Sequence, residues 1–487
     1  MASDEPAWKS KAAAKFTAVR NKIPKQWRLA AEYLKGDETS DFGVLDVPAK
    51  CGILTDHELS ITENYTAVSL ARAVQSGSLK SKDVATAFCK RAAIATQLTN
   101  CVTETMFEDA IKRGEYLDKY LVEHKKPVGP LHGVPVSLKD SFHYPGVQSC
   151  IGFVSFLDHS VDTEPATLAQ ILLELGAILY VKTNIPQTLM TGDSHNHVFG
   201  RTLNPHKLKL TAGGSSGGEG ALVAFRGSIL GVGTDIGGSI RIPALCNGTY
   251  GFKPSSWRVP YGGQTAPVKV GSPGFPPVAG PLANSFEDLH LFMRHVIEAK
   301  PWDKDFLALP IPWRASAADE QFPRLRIGYL LEAPELPVHP PVRRALEESA
   351  KKLAAAGFDV VPIKDFPSFQ TGIDLACDCY SLDNNKTWKK FIQDSGEPMI
   401  PSLEKTEWAI NRKEKYELEE VFDINMAWAG YKAQWQKVWT ENRVDVILCP
   451  GAENTAVLHD TYGIPAYTMV WNLLEVRVDC LGDLCCA

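Results

Sequence analysis

The 487-residue chain predicts an α/β fold, a central sheet covered by helices on both faces. Three observations carry that expectation. Short apolar runs with period-two spacing alternate with longer segments whose apolar residues recur every three to four positions. Glycines stop several of the helical segments and hand over to the strands. The composition, 44% hydrophobic and 22% charged, is that of an ordinary globular protein with a large buried core. By length alone the chain could hold about three domains or one large α/β domain.

Taken in order, residues 1–75 read as a mostly helical, polar segment packed on the core, as in KQWRLAAEYL. Residues 80–97 place Val84, Phe88 and Ala92 on one helical face. In GPLHGVPVSLKDSF, Val134, Val136 and Leu138 alternate with other residues, a strand that ends at Lys139. PATLAQILLELG is helical through Leu168, Ile171, Leu172 and Leu175 and stops at Gly176, before the strand AILYVKTN. Ile229 to Gly233 is a further strand candidate. The proline-rich stretch 271–281 reads as a loop. PVRRALEESAKKLAAAG stops at Gly357 and gives way to FDVVPI, and QKVWTENR gives way to VDVILCP. The main domain spans 76–474, and within it 380–440, helical and rich in tryptophan, lysine and glutamate, reads as an insertion near a pocket.

With 51 basic and 57 acidic residues the net charge is -6, which gives nucleic-acid binding no support. No run of about 18 apolar residues suggests a membrane span. The opening MASDEPAWKSKAAAKF lacks the apolar core of a secretory leader, so the cytoplasm is the expected location. Eleven thinly spread cysteines suit reduced thiols better than a disulfide framework. Cys377 and Cys379 form a CxC pair with no second pair at ligand spacing, and His195 and His197 form an HxH pair that reads as two polar loop residues.

Two glycine-rich turns draw the chemistry. The first, GGSSGG at 213–218, lacks the lysine of a phosphate-binding loop, and Glu219 follows it, where a carboxylate would repel a phosphate. It also satisfies GxSxG, the nucleophile elbow of α/β-hydrolases, with His459 as the base that reading needs. The second lies in ILGVGTDIGGSIRIPA. Gly237 and Gly238 turn tightly and Ser239 opens a short helix, so backbone N–H groups there could hold a developing oxyanion. A serine hydroxyl needs a base. Asp235 is close in sequence, and Lys139 sits at a strand end, where desolvation would turn its amine into one.

The block GGSSGGEGALVAFRGSILGVGTDIGGSIRIPA resembles the amidase signature, and PLHGVPVSLKDSF resembles the lysine motif of that family. TNIPQTLMTGD and NGTYGFKPS match it as well, and the N-terminal helices and VFGRTLNPH are most similar to fungal acetamidases and general amidases. The resemblance runs from about residue 30 to residue 474. It implies the amidase-signature fold, with a mixed, twisted central sheet. It implies Lys139 as base, Ser215 as the relaying serine with a cis Gly214–Ser215 bond, and Ser239 as the acyl-forming nucleophile. It further implies Ile236, Gly237, Gly238 and Ser239 as the oxyanion loop, Leu189 and Met190 as pocket lining, and Ser216 as a hydrogen-bonding support of the lysine; Asp235, by its place in the turn, reads as a support of the loop. The expected activity is hydrolysis of small carboxylic acid amides to acid and ammonia, with no metal or organic cofactor, and a homodimer is the expected assembly.

Two alternatives stand beside it. One is a subunit of a tRNA-dependent amidotransferase, which the acetamidase-like N-terminus argues against. The other is a catalytically impaired, truncated variant. Residues 475–487, EVRVDCLGDLCCA, hold three of the eleven cysteines and no familiar motif, and an aberrant tail of this kind is expected to weaken the scaffold.

Overall fold

Three strands run side by side and parallel through the middle of the molecule, and their shared end carries the chemistry-bearing residues. The computed structural model describes residues 6–269, 271–314 and 325–480. Its strands are β1 (Val102–Thr105), β2 (Pro135–Lys139), β3 (Ile178–Thr183), β4 (His195–Asn196), β5 (Gly200–Arg201), β6 (Leu230–Asp235), β7 (Tyr250–Lys253), β8 (Val278–Ala283), β9 (Arg326–Tyr329), β10 (Asp359–Pro362), β11 (Val446–Leu448) and β12 (Val478–Cys480). The central sheet is mixed, in the order β1-β3-β2-β6-β8-β7-β12. β2 lies parallel to both β3 and β6, and the outer pairings are antiparallel.

β2 is buried along its whole length, so both its faces are covered, as a parallel core strand requires. The helix Ser81–Thr99 contributes to that cover with Val84, Phe88 and Ala92, all fully buried. Connections such as helix Thr167–Glu174 between β2 and β3, and helix Gly217–Ala224 between β3 and β6, are long enough to return each strand in parallel.

Two expectations change. The stretch 271–281 does not remain a loop to its end: β8 begins at Val278 and lies between β6 and β7, with Pro281 opposite Val232. Gly and Pro argue locally against a strand, but Val278, Ala279, Leu282 and Ala283 are all buried there, and packing outweighs propensity. FDVVPI and VDVILCP do form strands, but of a separate three-stranded parallel sheet, β10-β9-β11. A second core joins that sheet to helices Phe369–Tyr380, Leu418–Asn442 and Ala466–Leu473 through Phe369, Trp435 and Trp471.

Residues 386–410 form two helices, Lys386–Ser395 and Pro401–Ile410, whose Trp388, Ile392 and Leu403 pack with Phe153, Ile185 and the first helix, Ala7–Asn21. Of the stretch 475–487, residues 481–487 lie outside the described residues; Val478–Cys480 form β12, paired with β7. Among the described residues, no helix is long and apolar enough to cross a membrane.

Candidate active site

Lys139, Thr183 and Asp235 end β2, β3 and β6, and the sheet register sets Lys139 opposite Thr183. A site thus forms at the carboxyl ends of the parallel strands, where α/β sheets commonly bind ligands. Both glycine-rich turns converge there. The Gly214–Ser215 peptide bond is cis. The Ser216 N–H donates to the Ser239 carbonyl at 3.1 Å, which ties the two turns together.

Lys139 is fully buried. Its Nζ donates to Ser215 Oγ at 2.7 Å and to Thr234 Oγ1 at 2.8 Å. Burial pulls its pKa down to about 7, although the Asp235 and Glu219 carboxyls act the other way. Near neutral pH the amine is therefore available as a base. The supporting hydroxyl expected from Ser216 comes from Thr234 instead. Ser216 Oγ lies one step behind, accepting from the Thr234 N–H and donating to the Thr234 carbonyl, each at 3.4 Å. A hydroxyl on β6 beside β2 reaches the lysine directly, and the strand pairing that decides this is invisible in the local motif.

Asp235 is not free to act as a base. Arg241 donates to both its oxygens, from Nε at 3.0 Å and Nη2 at 2.9 Å, and Asn472 Nδ2 donates at 2.9 Å. Burial opposes its ionisation, but the Arg241 guanidinium holds the carboxyl well below the usual carboxylate range. The carboxylate also accepts the N–H groups of Gly238 (2.9 Å) and Ile240 (3.1 Å). That assigns Gly238 a role different from the expected oxyanion donor: its N–H closes the turn on Asp235. The N–H groups of Gly237 and Ser239 have no acceptor among the described residues. Gly238 adopts φ +130°, which an L side chain rarely takes, and a β-carbon there would strike Thr468.

Ser239, 8% exposed, lines a small cavity of about 40 Å³. Gly214, Ile236 and Gly237 share the wall, as do Leu189 and Met190, the expected lining pair. Thr406 and Ile410 contribute to it from helix Pro401–Ile410, Cys377 and Tyr380 from helix Phe369–Tyr380, and Ile464, Pro465 and Met469 from further along the chain. Most of this lining is apolar. Burial pushes the Cys377 thiol up to about 11 and that of Cys379 up to about 12, so both stay protonated.

The remaining candidates fall elsewhere. His459 Nε2 lies 2.9 Å from the Leu208 carbonyl and its Nδ1 3.7 Å from Asp193, so the base of an elbow-type triad is engaged away from Ser215. His195 lies beside Arg201, and burial, then Arg201 and His197, pulls its pKa down to about 4; the His197 ring packs on Trp8 at 5.1 Å. The N–H groups of Gly217 and Gly218, which a phosphate cradle would offer, donate to Ser194 Oγ and the Asn184 carbonyl, both at 3.0 Å.

Sequence reasoning named none of Thr234, Arg241, Tyr380, Thr468 and Asn472. Glu219 appeared only as an obstacle to phosphate. It is fully buried, accepts from Ser137 (2.5 Å) and Thr183 (2.8 Å), and burial raises its pKa to about 8. The last three lie more than 130 residues beyond the turn they touch, and no local pattern marks them.

The family model for Amidase matches residues 83–480. An amidase of Gibberella moniliformis is 42% identical over 456 residues, covering 93% of this chain and 85% of that protein. An acetamidase of Aspergillus oryzae is 38% identical over 483 residues, covering 96% of this chain and 86% of that protein. Among solved structures, a fatty acid amide hydrolase superposes with a TM-score of 0.90 at 34% identity, covering 97% of this chain and 83% of that one.

Proposed function

Since the chain belongs to the amidase family and is therefore a hydrolase of amide bonds, we propose that it cleaves small carboxylic acid amides to acid and ammonia through a Ser239–Ser215–Lys139 relay. The observation that carries this reading is the 2.7 Å bond between a fully buried, easily deprotonated Lys139 and Ser215. Neutral Lys139 accepts the Ser215 proton as Ser215 takes one from Ser239. Ser239 Oγ adds to the amide carbonyl carbon, and the carbonyl oxygen takes the negative charge. The N–H groups of Gly237 and Ser239 face this charge and stabilise it. On collapse, the C–N bond breaks and the relay returns its proton to the leaving nitrogen. An acyl ester remains on Ser239. Water, deprotonated by the same relay, then displaces it and regenerates the hydroxyl. Every step is supplied by side chains and backbone amides of this chain.

Acetamide-like aliphatic amides suit the apolar walls formed by Leu189, Met190, Ile236 and Ile410. Ammonia release from the purified chain across a panel of amides tests the reading, with Lys139→Ala and Ser239→Ala alongside. Turnover of acetamide-like amides that disappears in both variants is the expected result; near-native turnover by Ser239→Ala would overturn the nucleophile assignment.

A further inference from the structure

We propose that Tyr380 is a positioning residue that aims the Gly237 N–H at the oxyanion, an inference that rests on the acyl-transfer reading above. The turn from Asp235 to Ser239 is held one carbonyl at a time. Asn472 Nδ2 donates to the Asp235 carbonyl at 3.4 Å, Tyr380 Oη to the Ile236 carbonyl at 2.6 Å, and Thr468 Oγ1 to the Gly237 carbonyl at 2.7 Å. The Gly238 carbonyl accepts the Ile242 N–H at 2.7 Å. In a trans peptide the C=O and the next N–H point in opposite directions. Fixing a carbonyl therefore fixes the direction of the following N–H as well.

The four peptide units are not equivalent. The Gly237–Gly238 unit is held at both ends, by Thr468 at its oxygen and by Asp235 at its N–H. The Gly238–Ser239 unit is held by a backbone donor that substitution does not remove. The Ile236–Gly237 unit has Tyr380 at its oxygen and no acceptor for its N–H among the described residues. Two glycines follow Ile236, so this peptide can rotate unless its carbonyl is fixed. Tyr380 ends helix Phe369–Tyr380, its ring packs edge-on against Phe275 at 5.3 Å, and it also lines the cavity that holds Ser239. It acts through the backbone and transfers no proton to the substrate.

The test compares Tyr380→Phe, which keeps the ring and removes only the hydroxyl, with Thr468→Val, which removes the donor to the doubly held unit. The readouts are kcat and KM for a turned-over amide, the pH profile, the melting temperature, and inhibition by a small aliphatic aldehyde. The aldehyde adds the Ser239 O–H across its C=O and so places an oxygen where the oxyanion forms. Removing an oxyanion donor outright costs about 10²–10³ in kcat, and loosening one should cost roughly 10-fold. Tyr380→Phe is expected to lower kcat and aldehyde affinity by that roughly 10-fold factor, with KM and the pH profile nearly unchanged. Thr468→Val is expected to keep kcat within about threefold. Wild-type kcat and aldehyde affinity in Tyr380→Phe, beside an inactive Ser239→Ala, would overturn this inference alone. So would equal kcat losses in the two variants, which would mean general loosening of the turn. An active Ser239→Ala would instead overturn the acyl-transfer reading beneath it.

Discussion

The two glycine-rich turns look alike in sequence and differ in what surrounds them. Each places a serine after a glycine pair and shortly before a short helix, Gly217–Ala224 in one case and Arg241–Asn247 in the other. In the first turn Ser215 is 2% exposed and bonded to Lys139, and the neighbouring N–H groups are taken by Ser194 and Asn184. In the second, Ser239 borders the cavity, and the N–H groups of Gly237 and Ser239 have no protein partner among the described residues. One turn is closed inward on a buried lysine; the other opens toward the cavity. The difference lies in the partners that tertiary structure brings, so a serine–glycine motif by itself does not say which hydroxyl attacks.

The largest effect that could break this comparison is on the second turn. Ser239→Ala should lower kcat by about 10⁴-fold or more, as removal of a nucleophile does in serine hydrolases, while the melting temperature stays close to wild type. In the first turn, Ser215→Ala should lower kcat by about 10²–10⁴-fold, the range for loss of a proton-transfer group. If the two losses were reversed in order, the roles assigned to the turns would be exchanged.

Next comes the carboxylate that shapes the second turn. Asp235→Asn leaves the buried Arg241 guanidinium without its counter-charge, and loss of one partner of a buried pair typically costs about 3–5 kcal/mol. A fall in urea midpoint at constant slope would register it; an unchanged midpoint would show that the pair contributes little to the fold.

The pH dependence sharpens the first turn. The Lys139 amine, usually protonated to pH 10.5, is predicted to lose its proton at about 7 in the fold, so the base form grows as pH rises through that value. The kcat/KM profile should rise with an apparent pKa near 7 and drop roughly 10-fold for each unit below it. An acid limb near 4 would point to a carboxylate base. The smallest effect is expected at Ser216, whose contacts with Thr234 are both 3.4 Å: Ser216→Ala should cost about 0.5–1.5 kcal/mol of stability, with the acid limb unmoved.

How much of this was legible in the chain follows the range of the interactions. The strand ending at Lys139 declared itself through Val134, Val136 and Leu138, because period-two hydrophobic spacing is a local signal, although the fold buries every residue of the strand. The helix at 81–99 did so through its apolar face. β8 stayed hidden, since its proline and glycine speak against a strand and only burial between β6 and β7 creates one. The second sheet was legible as strands but not as a sheet, because pairing partners lie far apart in sequence. The same holds at the site. Residue types within the two turns could be read directly, whereas Thr234 beside Lys139 and Tyr380 behind Ile236 depend on packing that no spacing encodes.

The central claim is that the hydroxyl of the second turn, not the first, becomes acylated. Labelling the native chain with a serine-reactive fluorophosphonate and mapping the adduct by peptide mass spectrometry tests it directly. The account predicts one covalent adduct, on Ser239, formed faster as pH rises through about 7 and lost in Ser239→Ala. An adduct on Ser215, or labelling that survives Ser239→Ala, would contradict it.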